Sequence, residues 1–169
     1  MHKLLFLDFD GVLNNKDTLK KMPICNFHSK IFAQEIFHKT DFNFTDEAIK
    51  TLQTLYDIIG NYLTIVIASN WQLHAKVEHF VDLFQLFDIK FTNIKTMTYD
   101  DANIQTCKSN IIEKWLEHNY GNDIPSMICL DDRPELYSYS FRHAYLKHID
   151  PSFGLQMSDL EDILCRLNK

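Results

Sequence analysis

Three features of this 169-residue sequence predict an α/β fold, a three-layer sandwich with a central parallel sheet. Short continuous apolar runs alternate with longer stretches whose apolar residues recur at helical spacing, the pattern of buried parallel strands covered by helices. Each of the three clearest runs ends in acidic or hydroxyl residues, where such sheets carry their chemistry. Only four glycines and four prolines occur, well below the roughly 7% and 5% of average chains, which opposes a turn-dense all-β sandwich. A hydrophobic fraction of 46% and a charged fraction of 24% are ordinary for a globular protein. The length fits one domain spanning 1–169.

The first strand is Leu4 to Leu7, ending at Asp8 and Gly11. Thr45 or Asp46 caps a helix carrying Ile49, Leu52, Leu55, Tyr56 and Ile59, which Gly60-Asn61 terminates. A β-branched strand runs from Tyr62 to Ala68. Ser69-Asn70 then opens a helix with Leu73, Val77, Phe80, Val81 and Phe84 on its apolar side. Ile89 to Ile94 reads as a third strand, and Ser109 to His118 as a helix packing through Ile111, Ile112, Trp115 and Leu116. Ser126 to Leu130 is another apolar strand, followed by paired acids. Phe141 to Ile149 reads as a weaker strand and Met157 to Leu167 as a closing helix.

Residues 14–44 break the alternation. Phe27, Ile31, Phe32, Ile36 and Phe37 suggest a helix within this insert, and connections of such length are usually lids or binding elements. From Lys16 to Lys39, Lys16, Lys20, Lys21, Lys30 and Lys39 outweigh Asp17 and Glu35 by +3, against a net charge of −6 for the whole chain. That overall charge disfavours nonspecific binding to nucleic acid or anionic membranes. The start, MHKLLFL, is interrupted by Asp8, unlike an export signal, and no run reaches the ~18 apolar residues of a membrane span. Cys25, Cys107, Cys129 and Cys165 contain no CxxC pair and read as reduced, buried thiols of a cytosolic protein.

Asp8 and Asp10 follow a buried strand two residues apart, and their mutual repulsion calls for compensation. A hard cation such as Mg²⁺ suits such oxygen donors, and Asp131-Asp132 supply more of them from another strand end. Ser69 offers a hydroxyl after a third strand, and Lys108 an ammonium at a helix start. Together they form a site for a metal and a phosphoryl group that dispenses with a glycine-rich loop. Zinc is disfavoured, because His74/His79 and His28/His38 match no ligand spacing. Trp71 and Trp115 read as core rather than stacking platforms, Arg133 and Arg142 as structural, and Cys107 as inert.

DFDGVLN (Asp8–Asn14), IVIASN ending at Ser69-Asn70, Lys108 and LDD (Leu130–Asp132) resemble, in order, the four motifs of the haloacid dehalogenase-like (HAD) hydrolase superfamily. ASNWQ, the interval from Lys108 to Trp115-Leu116, and Phe153-Gly154-Leu155 more narrowly resemble the small HAD domain of RNA-repair proteins and some bacterial phosphatases, effectors among them. That group usually has arginine after the tryptophan, where this chain has Gln72. The resemblance covers nearly the whole chain apart from the insert. It implies a Rossmann-like fold with 14–44 as a minimal cap. Asp8 is then the nucleophile and Asp10 the general acid/base, with Ser69, Asn70 and Lys108 binding the phosphate. Mg²⁺ is implied on Asp8, the backbone carbonyl of Asp10 and Asp131, with Asp132 acting through a water or orienting Lys108.

The expected activity is therefore that of a Mg²⁺-dependent phosphomonoesterase forming an aspartyl-phosphate. Without a large cap the mouth should be open, suiting phosphate on a macromolecule. The acidic balance favours a phosphoprotein, phosphotyrosine included, in the chain's own cytosol or, for a secreted bacterial effector, a host's. The lysines of the insert make a nucleic-acid 3′-phosphatase the second reading. A noncatalytic phospho-binding or receiver-like module is the third. The chain order opposes a receiver, whose lysine follows its last acidic strand end, whereas Lys108 precedes Asp131.

Overall fold

The computed structural model describes residues 2–21, 44–73, 75–97 and 107–168. Five parallel strands lie in the order β3-β2-β1-β4-β5, formed by Lys3–Leu7 (β1), Leu63–Ile67 (β2), Ile94–Thr96 (β3), Ser126–Asp131 (β4) and Leu146–His148 (β5). The described helices are Lys16–Lys21 (α1), Asp46–Ile59 (α2), Val77–Leu86 (α3), Lys108–Tyr120 (α4), Tyr139–Tyr145 (α5) and Leu160–Leu167 (α6). This is the Rossmann-like α/β fold expected. Because β1 is flanked by β2 and β4, three strand ends converge on one crevice.

Strand alternation divides the core into two layers. Leu5, Leu7, Ile65, Ile67, Ile128 and Leu130 point to one face, which α2, α3 and α6 cover with Leu52, Phe84 and Ile163. Leu4, Phe6, Val66 and Cys129 point to the other, against Ile112, Trp115 and Leu116 of α4 and Phe141 of α5. Both faces of β1 are fully buried, which is why its sequence is a continuous apolar run. Thr45 is the residue that caps α2, its side chain accepting from the Ala48 N–H at 3.2 Å. Gly60, at φ +61°, ends that helix by donating to the Tyr56 carbonyl.

The structure corrects four assignments. The third strand begins only at Ile94, the last residue of the Ile89–Ile94 run, and continues to Thr96. Asp88 at φ +53° turns the chain after α3, and Ile89 and Phe91 are buried in the connection, so their apolar character reports packing and not pairing. The stretch 141–149 is mostly α5, with only Leu146–His148 in the sheet. Ser138 caps α5 by accepting from the Phe141 N–H, and Phe141 packs at a tilt against Tyr145 one turn later, ring centroids 5.1 Å apart, an aromatic pairing easily mistaken for strand composition. Ser69-Asn70 opens a single 3₁₀ turn, Asn70–Leu73, and α3 starts only at Val77. Against the expectation of buried thiols, only Cys129 among the described cysteines is buried, Cys107 being half-buried and Cys165 exposed on α6; none of the three is in a disulfide. The helix expected around Phe27–Phe37, Lys30, Lys39, Cys25, His28, His38 and His74 lie outside the described residues. Among the described residues no helix is long and apolar enough to cross a membrane.

Candidate active site

Asp8 follows β1, Ser69 lies two residues past β2, and Asp131 ends β4, so register alone brings them together. Lys108 arrives from the opposite direction as the first residue of α4. Its Nζ contacts Asp131 Oδ2 and lies 3.4 Å from Asp8 Oδ2, all three side chains being almost wholly buried. Asp131 is held further by the Tyr137 hydroxyl, which donates to Oδ2 at 2.7 Å, and by the Arg133 N–H, which donates to Oδ1 at 2.9 Å. Asp8 Oδ1 accepts from the Phe9 N–H at 2.9 Å, and the nearby Ser69 hydroxyl helps to hold that carboxyl down.

These partners do not balance the cost of burying so many acids. Burial pushes the Asp8 carboxyl up to about 6, with Lys108 pulling it down and Asp131 adding to the rise. Burial, followed by the charge of Asp131, also raises Asp132. Tyr137 is raised well above the usual tyrosine value, mainly by burial, which keeps its hydroxyl a donor. One carboxylate oxygen each from Asp8, Asp131 and Asp132 lie within 4.8 Å of one another. A donor set made wholly of carboxylate oxygens, electrostatically under-compensated, fits a hard divalent cation.

Gly11 makes the approach of Asp132 possible. Its φ is +79°, and a Cβ built on it would lie 2.4 Å from Asp132 Oδ2 and 2.9 Å from Asp132 Cβ. Gly11→Ala is expected to cost about 2–4 kcal/mol, from left-handed strain plus the clash. Gly121 has a similar φ of +59° and open space around it, so Gly121→Ala should cost only the strain, about 1–2 kcal/mol. Urea unfolding of the two variants checks this, and equal losses would show that the contact with Asp132 is unimportant.

The Asp10 carboxylate stands apart from the acidic trio. Its Oδ2 accepts from Trp71 Nε1 at 3.0 Å and its Oδ1 from Asn14 Nδ2 at 3.0 Å. With Asp8, Ser69, the exposed Asn70, Asp132 and Arg133 it lines an open cavity of about 220 Å³. Lys108 and Asp131 form the buried layer beneath. All the expected site residues thus meet at one crevice, while Arg133, expected to be structural, is an exposed part of its lining. Sequence reasoning missed Tyr137, six residues beyond Asp131 across a 3₁₀ turn, Pro134–Leu136. Nothing in its local pattern marks it. Cys107 contacts Ser109 Oγ and the Leu136 carbonyl, a structural role.

A parallel sheet whose adjacent strand ends hold an acidic trio around one lysine is the arrangement of a haloacid dehalogenase-like domain. Consistent with this, a family model described as the HAD domain in Swiss Army Knife RNA repair proteins matches residues 4–160, and the chain belongs to that family. Among solved structures it is similar to the HAD domain of effector protein Lem4 from Legionella pneumophila, at 17% identity and TM-score 0.56, covering 99% of this chain and 96% of that one. An inactive mutant of the same domain aligns at 15% identity and TM-score 0.55, covering 99% and 95%. At these identities the likeness concerns the fold. No curated protein sequence matches the chain.

Proposed function

We propose that this chain is a Mg²⁺-dependent phosphomonoesterase working through an aspartyl-phosphate on Asp8, with 1–169 a single catalytic domain and 14–44 its small cap. The observation that carries this reading is the Asp8 carboxylate itself. It is buried 3.4 Å from Lys108, shares a potential cation position with Asp131 and Asp132, and opens on a cavity that Asp10 also lines. An Asp8 oxygen bonds to phosphorus as the bond to the leaving oxygen breaks, and a proton passes from the Asp10 carboxyl to that oxygen. Water then attacks the same phosphorus, returning a proton to Asp10 as the bond to Asp8 breaks and phosphate leaves. Ser69, Asn70 and Lys108 hold the phosphoryl oxygens with preset donors and charge. Mg²⁺, when held by Asp8, the Asp10 carbonyl and Asp131 with Asp132 behind them, supplies positive charge against the phosphoryl oxygens.

The open cavity and net charge of −6 favour a phosphoprotein substrate, phosphotyrosine included, and free cysteines at 107, 129 and 165 suit a cytosolic setting. A nucleic-acid 3′-phosphatase is the second reading, supported by the family's description as a domain of RNA repair proteins. Turnover of p-nitrophenyl phosphate with Mg²⁺, against EDTA and against Asp8→Asn, tests the activity. A wild type no faster than the variant leaves a noncatalytic phospho-binding module. For substrate class, a phosphotyrosine peptide is expected to be cleaved at least about tenfold faster than a 3′-phosphorylated oligonucleotide, with little response to salt. Preference for the oligonucleotide with steep salt sensitivity would reverse the assignment.

A further inference from the structure

Trp71 reads from sequence as a core residue, and it is nearly buried, packed edge-on against Phe9 with ring centroids 5.1 Å apart. Its indole N–H nevertheless points at Asp10 Oδ2, 3.0 Å away. The other oxygen of that carboxylate accepts from Asn14 Nδ2 at 3.0 Å. Asn14 is buried, and its own Oδ1 accepts from the Gly11 N–H at 2.9 Å, so the amide is oriented with its NH₂ toward Asp10. Both carboxylate oxygens are therefore gripped, one from the Asp8–Asn14 turn and one from the Asn70–Leu73 turn after β2.

From this we infer that Trp71, together with Asn14, is a positioning residue that fixes the Asp10 carboxyl for proton transfer to the leaving oxygen. The inference rests on the acid/base role proposed for Asp10. An indole N–H donates and cannot accept, so it anchors Oδ2 without competing for the proton, and each oxygen keeps a lone pair for transfer. Rigid burial of the ring against Phe9 turns that single hydrogen bond into a fixed coordinate. Ser69 and Asn70 immediately precede the indole, so one turn sets the phosphate donors and the orientation of the acid together. Geometry of this kind matters because a displacement of about 1 Å can cost 10²-fold in rate.

The test compares kcat/KM over aryl phosphates from p-nitrophenyl to phenyl, because a poor leaving group needs the proton and a good one scarcely does. Trp71→Phe keeps an aromatic ring and deletes the N–H. It is expected to lower kcat/KM for phenyl phosphate at least about tenfold more than for p-nitrophenyl phosphate, a part of the 10²–10⁴-fold that general acids supply. Asp10→Asn should show the same pattern more strongly. A second protein carrying β-(3-benzothienyl)alanine at position 71, with sulfur replacing N–H in the same bicyclic shape, separates the hydrogen bond from packing and should reproduce the steepened leaving-group dependence. Equal losses for both substrates in that protein, or no loss, overturn the inference. A wild type inert toward every aryl phosphate instead overturns the phosphatase reading on which it rests.

Discussion

Asp8→Asn is expected to lower Mg²⁺-supported turnover of p-nitrophenyl phosphate by at least about 10⁴-fold, within the range for removing a covalent nucleophile. In the metal-free protein at pH 7.5 the same change should make the fold more stable. In the folded chain the Asp8 carboxyl sits at about 6 instead of its ordinary 3.8, because burial outweighs the help of Lys108 and Asp131 adds repulsion. The folded state therefore binds this proton more tightly than the unfolded state, and stability falls as pH rises from about 4 through 6. Asparagine has no proton to lose. The stability of Asp8→Asn minus that of wild type should thus be small near pH 4, widen between pH 4 and 6, and level off above at roughly 2–3 kcal/mol. Denaturant unfolding in EDTA across this range checks it. A gap that is constant, or that widens toward acid, would contradict an Asp8 destabilised by its site. Saturating Mg²⁺ should narrow the gap, since a bound cation favours the ionised carboxylate.

The parts of this architecture legible in the sequence are those where burial on both sides writes an unambiguous pattern. Leu4 to Leu7 and Met127 to Leu130 contain no polar residue, because β1 and β4 lie inside the sheet. The chain must leave the core where they end, so the acids that follow were readable as a site before any contact was known. Pattern reading failed at the edges. β3 and β5 are three residues each, too short for periodicity to register. Ile89 and Phe91 pack in a connection, and Tyr137, Phe141 and Tyr145 line one aromatic flank without forming a strand. The second layer of the site was invisible for a different reason. Trp71 satisfies the demands of a core residue with its ring and those of the site with one N–H, and composition records only the ring. Tyr137 reaches Asp131 through a turn whose geometry the sequence does not specify.

Lys108→Met carries the opposite stability effect from Asp8→Asn, although both should abolish efficient turnover. Methionine approximates the length and apolar stem of lysine, so the principal loss is the ammonium group that touches Asp131 Oδ2 and lies 3.4 Å from Asp8 Oδ2. Breaking a buried ion pair by removing one partner typically costs about 3–5 kcal/mol, because the remaining charge stays desolvated. Asp131 retains the Tyr137 hydroxyl and the Arg133 N–H, and Asp8 retains the Phe9 N–H, which places the expected loss toward the lower end, about 3 kcal/mol at pH 7.5. The catalytic loss should be about 10²–10³-fold in kcat, as for removal of one preset electrostatic donor. Urea unfolding and p-nitrophenyl phosphate kinetics measure the two effects. If Lys108 serves mainly to neutralise Asp8, combining the changes must be strongly non-additive. Asp8→Asn/Lys108→Met should then recover at least about 1 kcal/mol of the loss seen with Lys108→Met beyond what the single changes sum to. Additive behaviour would mean that Lys108 stabilises the fold through Asp131 alone, and that the raised Asp8 is balanced by something other than this lysine.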